Sequence, residues 1–320
     1  MTNYVHTPVM LAETLELLAP RGKNELMIDA NTGEGGHSFN FLSKYQDTGL
    51  KIVCIDVDSE ILSVAEKRME QFSSSTHFHC GRSDSFFADY PSELKRPDSI
   101  LFDFGVSLYH YKESARGFSF EKDEYLDMRL DNSSGITAAN LLERLPEKEL
   151  ADLLYNNAQE RYSRRIAAKI VEERKKCAIT TTTALAGLVE MAVPAAYRRG
   201  PIHPATKTFQ ALRIAVNGEL SGLSALLEAA LRVLEPGGRI GCISFHSLED
   251  KIVKNVFKSM NKDCICSANA PICICKGSRS VNLLTKKGIT PGKDEIERNP
   301  PSRSARLRVV EKVLDEDGND

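Results

Sequence analysis

Three glycines crowd into four positions, Gly33, Gly35 and Gly36, directly after the apolar run Leu26-Met27-Ile28. A buried strand that runs into this much bare backbone requires a tight strand-to-helix turn. It also lets a bound molecule approach the main chain. A Walker phosphate loop needs a lysine after its glycines, and none follows here. A dinucleotide fingerprint needs Gly-x-Gly-x-x-Gly, and its third position holds Ser38. Asp56 closes the next β-rich run, where an acid can accept hydrogen bonds from ribose hydroxyls. Glycines plus this acid fit any ligand containing adenosine, and equally a tight turn with an unrelated acid downstream.

The surrounding rhythm sets the fold class. Residues 25–30 (ELMIDA), 51–58 (KIVCIDVD) and 99–107 (SILFDFGVS) read as buried strands. Helical patterns over about 37–44 and 59–72 separate them, the second with Ser59 as its expected N-cap. Strand and helix in alternation imply a parallel sheet wound with helices. From about Lys112 to Gly200 the β-rich runs stop, and four helical patterns follow, one opened by Pro146. The α/β rhythm resumes with TKTFQALRIAVNGEL, an EPGG turn, the strand RIGCISF (239–245) and the helix SLEDKIVKNVFKSM (247–260). Ser247 with Asp250 is the expected capping box there. Residues 261–303 look loop-like, and ARLRVVEKV reads as a last strand. The expectation is an α/β chain with a discontinuous sheet domain, 1–111 and 205–320, and a helical insert, 112–204.

Composition narrows the function classes. The chain has 320 residues, 42% hydrophobic and 27% charged, enough for a substantial core. A formal net charge of −2 argues against indiscriminate coating of nucleic acid but leaves room for a local basic face. No apolar run reaches the length of a membrane span. The start, MTNYVHTPVMLAE, lacks the pattern of a secretory signal, so a cytoplasmic location is expected. Four of the 8 cysteines, Cys264, Cys266, Cys273 and Cys275, lie within CICSANAPICIC. Four thiols suffice for a zinc site, but one-residue spacing within each pair is tighter than usual, and the expectation is no metal.

The segments IDANTGEGG, IDVD and LEPGGRI together resemble the Rossmann-like class I S-adenosylmethionine-dependent methyltransferases. Read further, YVHTPVMLAE, GEGGHS, DFGVS, RGFSF, LDMRLD, HPATKTFQALRIAVNGEL, PGGRIGCISFHSLEDKIVK and NPPSRSARLRV resemble, in this order, the bacterial 16S rRNA (cytosine-N4)-methyltransferase family (RsmH/MraW). The resemblance runs from about Tyr4 to Val309. It implies transfer of a methyl group from S-adenosylmethionine to N4 of a cytidine in the decoding centre of 16S rRNA, on the small ribosomal subunit. Competing readings are a methyltransferase for another RNA, a protein or a small molecule, and a non-catalytic RNA-binding assembly factor. The oligomeric state, including a homodimer, stays open.

Site residues carry over where motifs match. Gly33, Gly35, Gly36 and His37 match the ligand loop, Asp56 the ribose acid, and Asp103 the acid ending the fourth strand. His110 stands where members carry glutamine, and can still donate or accept a hydrogen bond. Phe86 is the candidate for the aromatic ligand contact, with its register against Ser83 open. The N4 amine is a weak nucleophile, so the site needs in-line alignment and an acceptor for an N4 proton. Asp103 is that acceptor by position, or a ligand-binding residue only. His246 is a second catalytic candidate, or a histidine satisfying backbone groups at a strand end. RNA contacts are expected from Arg116, Arg129, Arg165, Arg213 and Asn217. Arg161, Arg164, Lys169, Arg198 and Arg199 add charge in the insert, and Arg303, Arg306 and Arg308 near the C-terminus. A solvated face is the default for such runs.

Overall fold

The computed structural model describes residues 7–263 and 279–314. The chain divides into two compact units, one formed by 1–105 with 222–320, the other by 106–221.

The first unit is built on a seven-stranded sheet of order β3-β2-β1-β4-β5-β7-β6. Its strands are β1 Leu26–Asp29, β2 Lys51–Asp56, β3 Thr76–Cys80, β4 Ser99–Asp103, β5 Arg239–Ser244, β6 Val281–Leu283 and β7 Arg306–Lys312. The first five are parallel, while β7 runs antiparallel to β5 and β6 antiparallel to β7. The sheet has helices on both faces, which is the Rossmann-like class.

The apolar runs are continuous because successive residues feed opposite faces. Leu26, Ile28, Val53, Ile55, Ile100 and Phe102 enter one core, closed by Leu227, Ala230, Val253 and Phe257 from the Leu223–Val233 and Ser247–Met260 helices. Met27, Ile52, Cys54 and Leu101 enter the other, against Phe41, Leu42 and Ala65 from the Gly36–Tyr45 and Ser59–Arg68 helices. The winding reverses between β1 and β4. A crevice outside the carboxyl ends of these strands is where such sheets take ligands.

Local details differ from the sequence expectations. The N-cap of the Ser59–Arg68 helix is Asp58, which accepts from Glu60 N–H at 3.0 Å. The capping box of the Ser247–Met260 helix is made by His246 and Glu249, one residue before the expected Ser247 and Asp250. The stretch 261–303, expected to be loop, contains β6 and a Lys293–Arg298 helix. A three-residue edge strand offers too little pattern to be read, and pairing with β7 creates it.

The second unit is helical. Helices Glu147–Ala158, Ser163–Arg174, Thr182–Ala192 and Thr206–Asn217 surround a core containing Leu150, Leu154, Ile166, Ile170, Leu185, Val189, Phe209 and Leu212. The Thr206–Asn217 helix therefore packs with the helical unit, although its sequence reads as resumption of the α/β rhythm. Its Ala211 carbonyl accepts from the Asn157 side chain at 3.2 Å. Among the described residues, no helix is long and apolar enough to cross a membrane.

Candidate active site at the carboxyl end of β1 and β4

The turn after β1 is fastened to both neighbouring strands. Ala30 N–H donates to the Leu101 carbonyl and Thr32 N–H to the Ile55 carbonyl, each at 2.9 Å. The three glycines then serve different needs. A side chain on Gly35 would meet Met69 Cε at 2.8 Å, and one on Gly36 would meet Pro8 Cγ at 2.7 Å, so these two permit close packing. Gly33, at φ +52°, has nothing within 4 Å of where its Cβ would stand. Its bare backbone faces open space, the condition for a ligand to lie along it.

Asp56, at the end of β2, anchors the same turn. Its carboxylate accepts from Gly33 N–H at 2.8 Å and from Asp58 N–H at 3.0 Å. The acid and the glycine are therefore one structural feature. Asn31, in the same turn, carries a buried Oδ1 that has no hydrogen-bond partner among the described residues.

Two carboxylates end the strands beneath the turn, Asp29 buried and Asp103 half-buried. Asp29 ends β1, 1% exposed, and accepts from the Ser38 hydroxyl at 2.6 Å. Burial pushes its pKa up to about 6, with the nearby Asp56 charge adding to the rise against the Ser38 hydrogen bond. Ser38, which breaks the dinucleotide fingerprint, thus satisfies an acid that a glycine would leave without this donor. Asp103 ends β4, and burial raises it to about 7, helped by the charges of Asp29 and Glu249 and opposed by the Gly105 N–H at 3.2 Å.

His37 is brought against Asp103. Its Nε2 lies 3.7 Å from Asp103 Oδ2, and its Nδ1 lies 3.3 Å from the Thr14 hydroxyl. That hydroxyl donates to backbone carbonyls of Met10 and Leu11, at 3.1 and 2.9 Å. It therefore accepts from Nδ1–H, and the Nε2 lone pair is left toward Asp103.

His246 and Glu249 cap a helix beside them. Glu249, 1% exposed, accepts from Phe245 N–H at 2.9 Å and His246 N–H at 3.3 Å. His246 Nδ1 accepts from Glu249 N–H at 3.4 Å, which places its proton on Nε2; that atom lies 3.0 Å from Glu249 Oε1 but makes no hydrogen bond among the described residues. Each of its ring nitrogens thus faces the cap of the Ser247–Met260 helix.

Most of the remaining expected residues have partners within their own units. Phe86 is 5% exposed within the sheet core, edge-on to His79, Phe87 and Tyr90. Nearby, Ser83 donates to the Ala30 carbonyl of the glycine turn. His110 is a buried residue of the helical unit, with its ring 5.2 Å from that of Phe118. Arg116 is buried and donates to the Leu130 carbonyl at 3.0 Å. Arg129 grips Asp127 through two hydrogen bonds, at 2.7 and 2.9 Å. Arg213 does the same with Glu219, at 2.9 and 2.8 Å, and donates to Tyr111 Oη at 2.7 Å. Asn217 bonds Leu130 N–H and the Met128 carbonyl, both at 2.8 Å. Arg165 is exposed on the Ser163–Arg174 helix. Cys264, Cys266, Cys273 and Cys275 lie outside the described residues.

Sequence reasoning passed over Asp29, Asn31, Thr14 and Glu249. A signal existed for Asp29, since an acid closing β1 repeats what Asp56 and Asp103 do on β2 and β4. None existed for Thr14, which meets His37 only through folding.

The residues present fit an adenosine ligand with a charged amino-acid tail. Gly33 leaves room along the backbone, Asp56 offers carboxylate oxygens at the strand end, and Asn31 Oδ1 is a buried acceptor awaiting a donor.

Comparison with known proteins agrees with the motifs. A ribosomal RNA small subunit methyltransferase H of Treponema denticola is 51% identical over 309 residues, covering 97% of this chain and 98% of that protein. Proteins of the same name from Syntrophobacter fumaroxidans and Halothermothrix orenii are 44% and 40% identical, covering 96% and 97% of this chain and 96% and 99% of their own lengths. An rRNA methylase structure from Streptococcus thermophilus is 12% identical, with 97% of this chain and 99% of that one covered, at a TM-score of 0.41. The profile of the MraW methylase family matches residues 3–313, and the chain belongs to that family.

Proposed function

We propose that this protein methylates N4 of a cytidine in the decoding centre of 16S rRNA, as a cytoplasmic enzyme acting on the small ribosomal subunit. The observation that carries the proposal is the convergence of Gly33, Asp56 and the His37–Asp103 pair at the switch point of the sheet, in a chain 51% identical to a small-subunit rRNA methyltransferase. S-adenosylmethionine, when bound, supplies the methyl group on a sulfonium that is a good leaving group. Gly33 and its neighbours would hold it along the backbone, and Asp56 would accept from its ribose hydroxyls.

The protein's own work is alignment and proton transfer. The cytosine amine gives up a proton as its new bond forms. Asp103, with a pKa near 7, is ionised in part at neutral pH and basic enough to take that proton. His37 offers a second acceptor behind it through Nε2. The sheet unit acts as the methyl-donor domain and the helical unit as the substrate-recognition domain. The target base is splayed from its stack to reach the methyl group.

Gene deletion followed by nucleoside analysis tests this reading. N4-methylcytidine in small-subunit rRNA should disappear, and return with the wild-type gene but not with Asp103→Asn. An unchanged level in the deletion strain overturns it.

A further inference from the structure

Two arginine-rich segments of the helical unit, 159–165 and 197–207, are far apart in sequence but held together by a compact set of contacts. The Tyr162 and Tyr197 rings meet edge-on at 4.9 Å. Tyr197 Oη donates to Glu160 Oε2 at 3.0 Å, and the other oxygen of Glu160 accepts from Tyr162 N–H at 2.8 Å. Lys207 Nζ donates to the Gln159 carbonyl at 3.2 Å, fixing the far end of the second segment against the first. Glu160 is 0% exposed, so the one acid in these segments is spent inside the joint.

What the joint leaves outside is cationic. Arg161, Arg164, Arg165, Arg198 and Arg199 are exposed, and none makes an ion pair among the described residues. The Arg161 guanidinium lies 5.4 Å from the Tyr162 ring centroid, and its charge acts on Tyr197 of the second segment. No acid occurs between Glu160 and Glu172, or between Glu190 and Glu219. The contrast with Lys169 on the same helix is instructive. Lys169 is bound to Glu172 at 3.0 Å, and Glu172 in turn lies 3.6 Å from Lys176, so the later turns are self-neutralised.

We infer that Arg161, Arg164, Arg165, Arg198, Arg199 and Lys207 form one basic surface that binds the phosphate backbone of the RNA substrate. The inference rests on the rRNA reading above and specifies where the helical unit grips. Guanidinium groups on a rigid, tyrosine-locked platform suit phosphates, since each offers a fork of donors and a charge that persists at any physiological pH. Neutralising phosphates releases counterions, so binding through this surface must weaken steeply with salt. The surface carries no base-reading geometry, so it supplies affinity and orientation rather than choice of cytidine.

The test uses the full-length protein with small ribosomal subunits from a strain lacking the gene. The quadruple variant Arg164→Gln/Arg165→Gln/Arg198→Gln/Arg199→Gln removes charge while keeping the joint. It should raise KM for the subunit at least about tenfold and flatten the plot of log affinity against log salt by about 3 in slope, about 0.7 per lost phosphate contact. Its kcat and its affinity for S-adenosylmethionine should stay within about twofold, a pattern that misfolding would not give. Lys169→Gln/Lys176→Gln, which removes two self-neutralised charges, should leave KM and slope unchanged. Equal KM and slope for the quadruple variant and wild type overturn the surface while leaving the rRNA reading intact. Failure of wild type to methylate cytidine in these subunits overturns both.

Discussion

At the mouth of the sheet, a buried Asp29 and a half-buried Asp103 act on one another through their charges, with no lysine or arginine paired to either among the described residues. In the helical unit, Arg213 is clamped by Glu219 and Arg129 by Asp127. Both regions hold buried or half-buried charge, and both were candidate functional sites. The difference is that the second has balanced its charges internally and the first has not. A pair of carboxylates kept close without a cation raises the proton affinity of both, which favours proton transfer and opposes stability. A bidentate arginine–carboxylate pair does the reverse: it holds a fold together and neutralises the charge that a phosphate would meet.

The comparison can be broken at several points. Asp103→Asn should lower kcat by about a thousandfold, because it removes the proposed proton acceptor. The same change should raise the melting temperature at pH 8. The unfolded carboxyl ionises near 3.8 and the folded one near 7, so ionisation costs stability as pH rises between them, fully above about 7. The gain of the variant should therefore vanish below pH 4. A variant that loses activity without gaining stability at pH 8 would show that Asp103 is not held under strain.

Arg213→Ala should destabilise the protein by about 3 kcal/mol in urea unfolding, since it strands Glu219, only 12% exposed, without its cation. Were this variant to fold with normal stability and lose only affinity for the ribosomal subunit, Arg213 would belong to the RNA face after all.

A smaller effect is expected at Asp56. The proposed role of Asp56 on the ribose hydroxyls predicts that Asp56→Ala weakens S-adenosylmethionine binding about a hundredfold by calorimetry. Equal affinity would place the ligand elsewhere.

The smallest effect sharpens the comparison most. In wild type, kcat should rise with pH through about 7 and then level, as Asp103 ionises. Asp29→Asn removes a neighbouring negative charge, so the rising limb should move to lower pH with the plateau little changed. An unshifted limb would mean that the two acids do not sense one another.

Much of this was legible before folding. The strands β1, β2, β4 and β5 announce themselves because residues buried on both faces make continuous apolar runs, and Gly33, Asp56 and Asp103 sit in fixed register at the ends of those runs. β3, with the polar sequence THFHC, carries no such run and is a strand only through its pairing with β2. Phe86 was picked by motif alone, and only the structure shows the three aromatic rings packed against it in the core. His246 and Glu249 make the capping box together, a pairing that only the folded strand end brings about.

The sequence by itself determined the class of sheet, the family and the acids at the strand ends, because periodicity and short motifs are properties of neighbouring residues. Only the tertiary structure decided which charges are spent and which remain available. Arg213 meets Tyr111 across 102 residues, and Tyr162 meets Tyr197 across two helices, Ser163–Arg174 and Thr182–Ala192. Ion pairing and burial depend on such encounters. They depend on distance and desolvation in three dimensions, which no local pattern encodes.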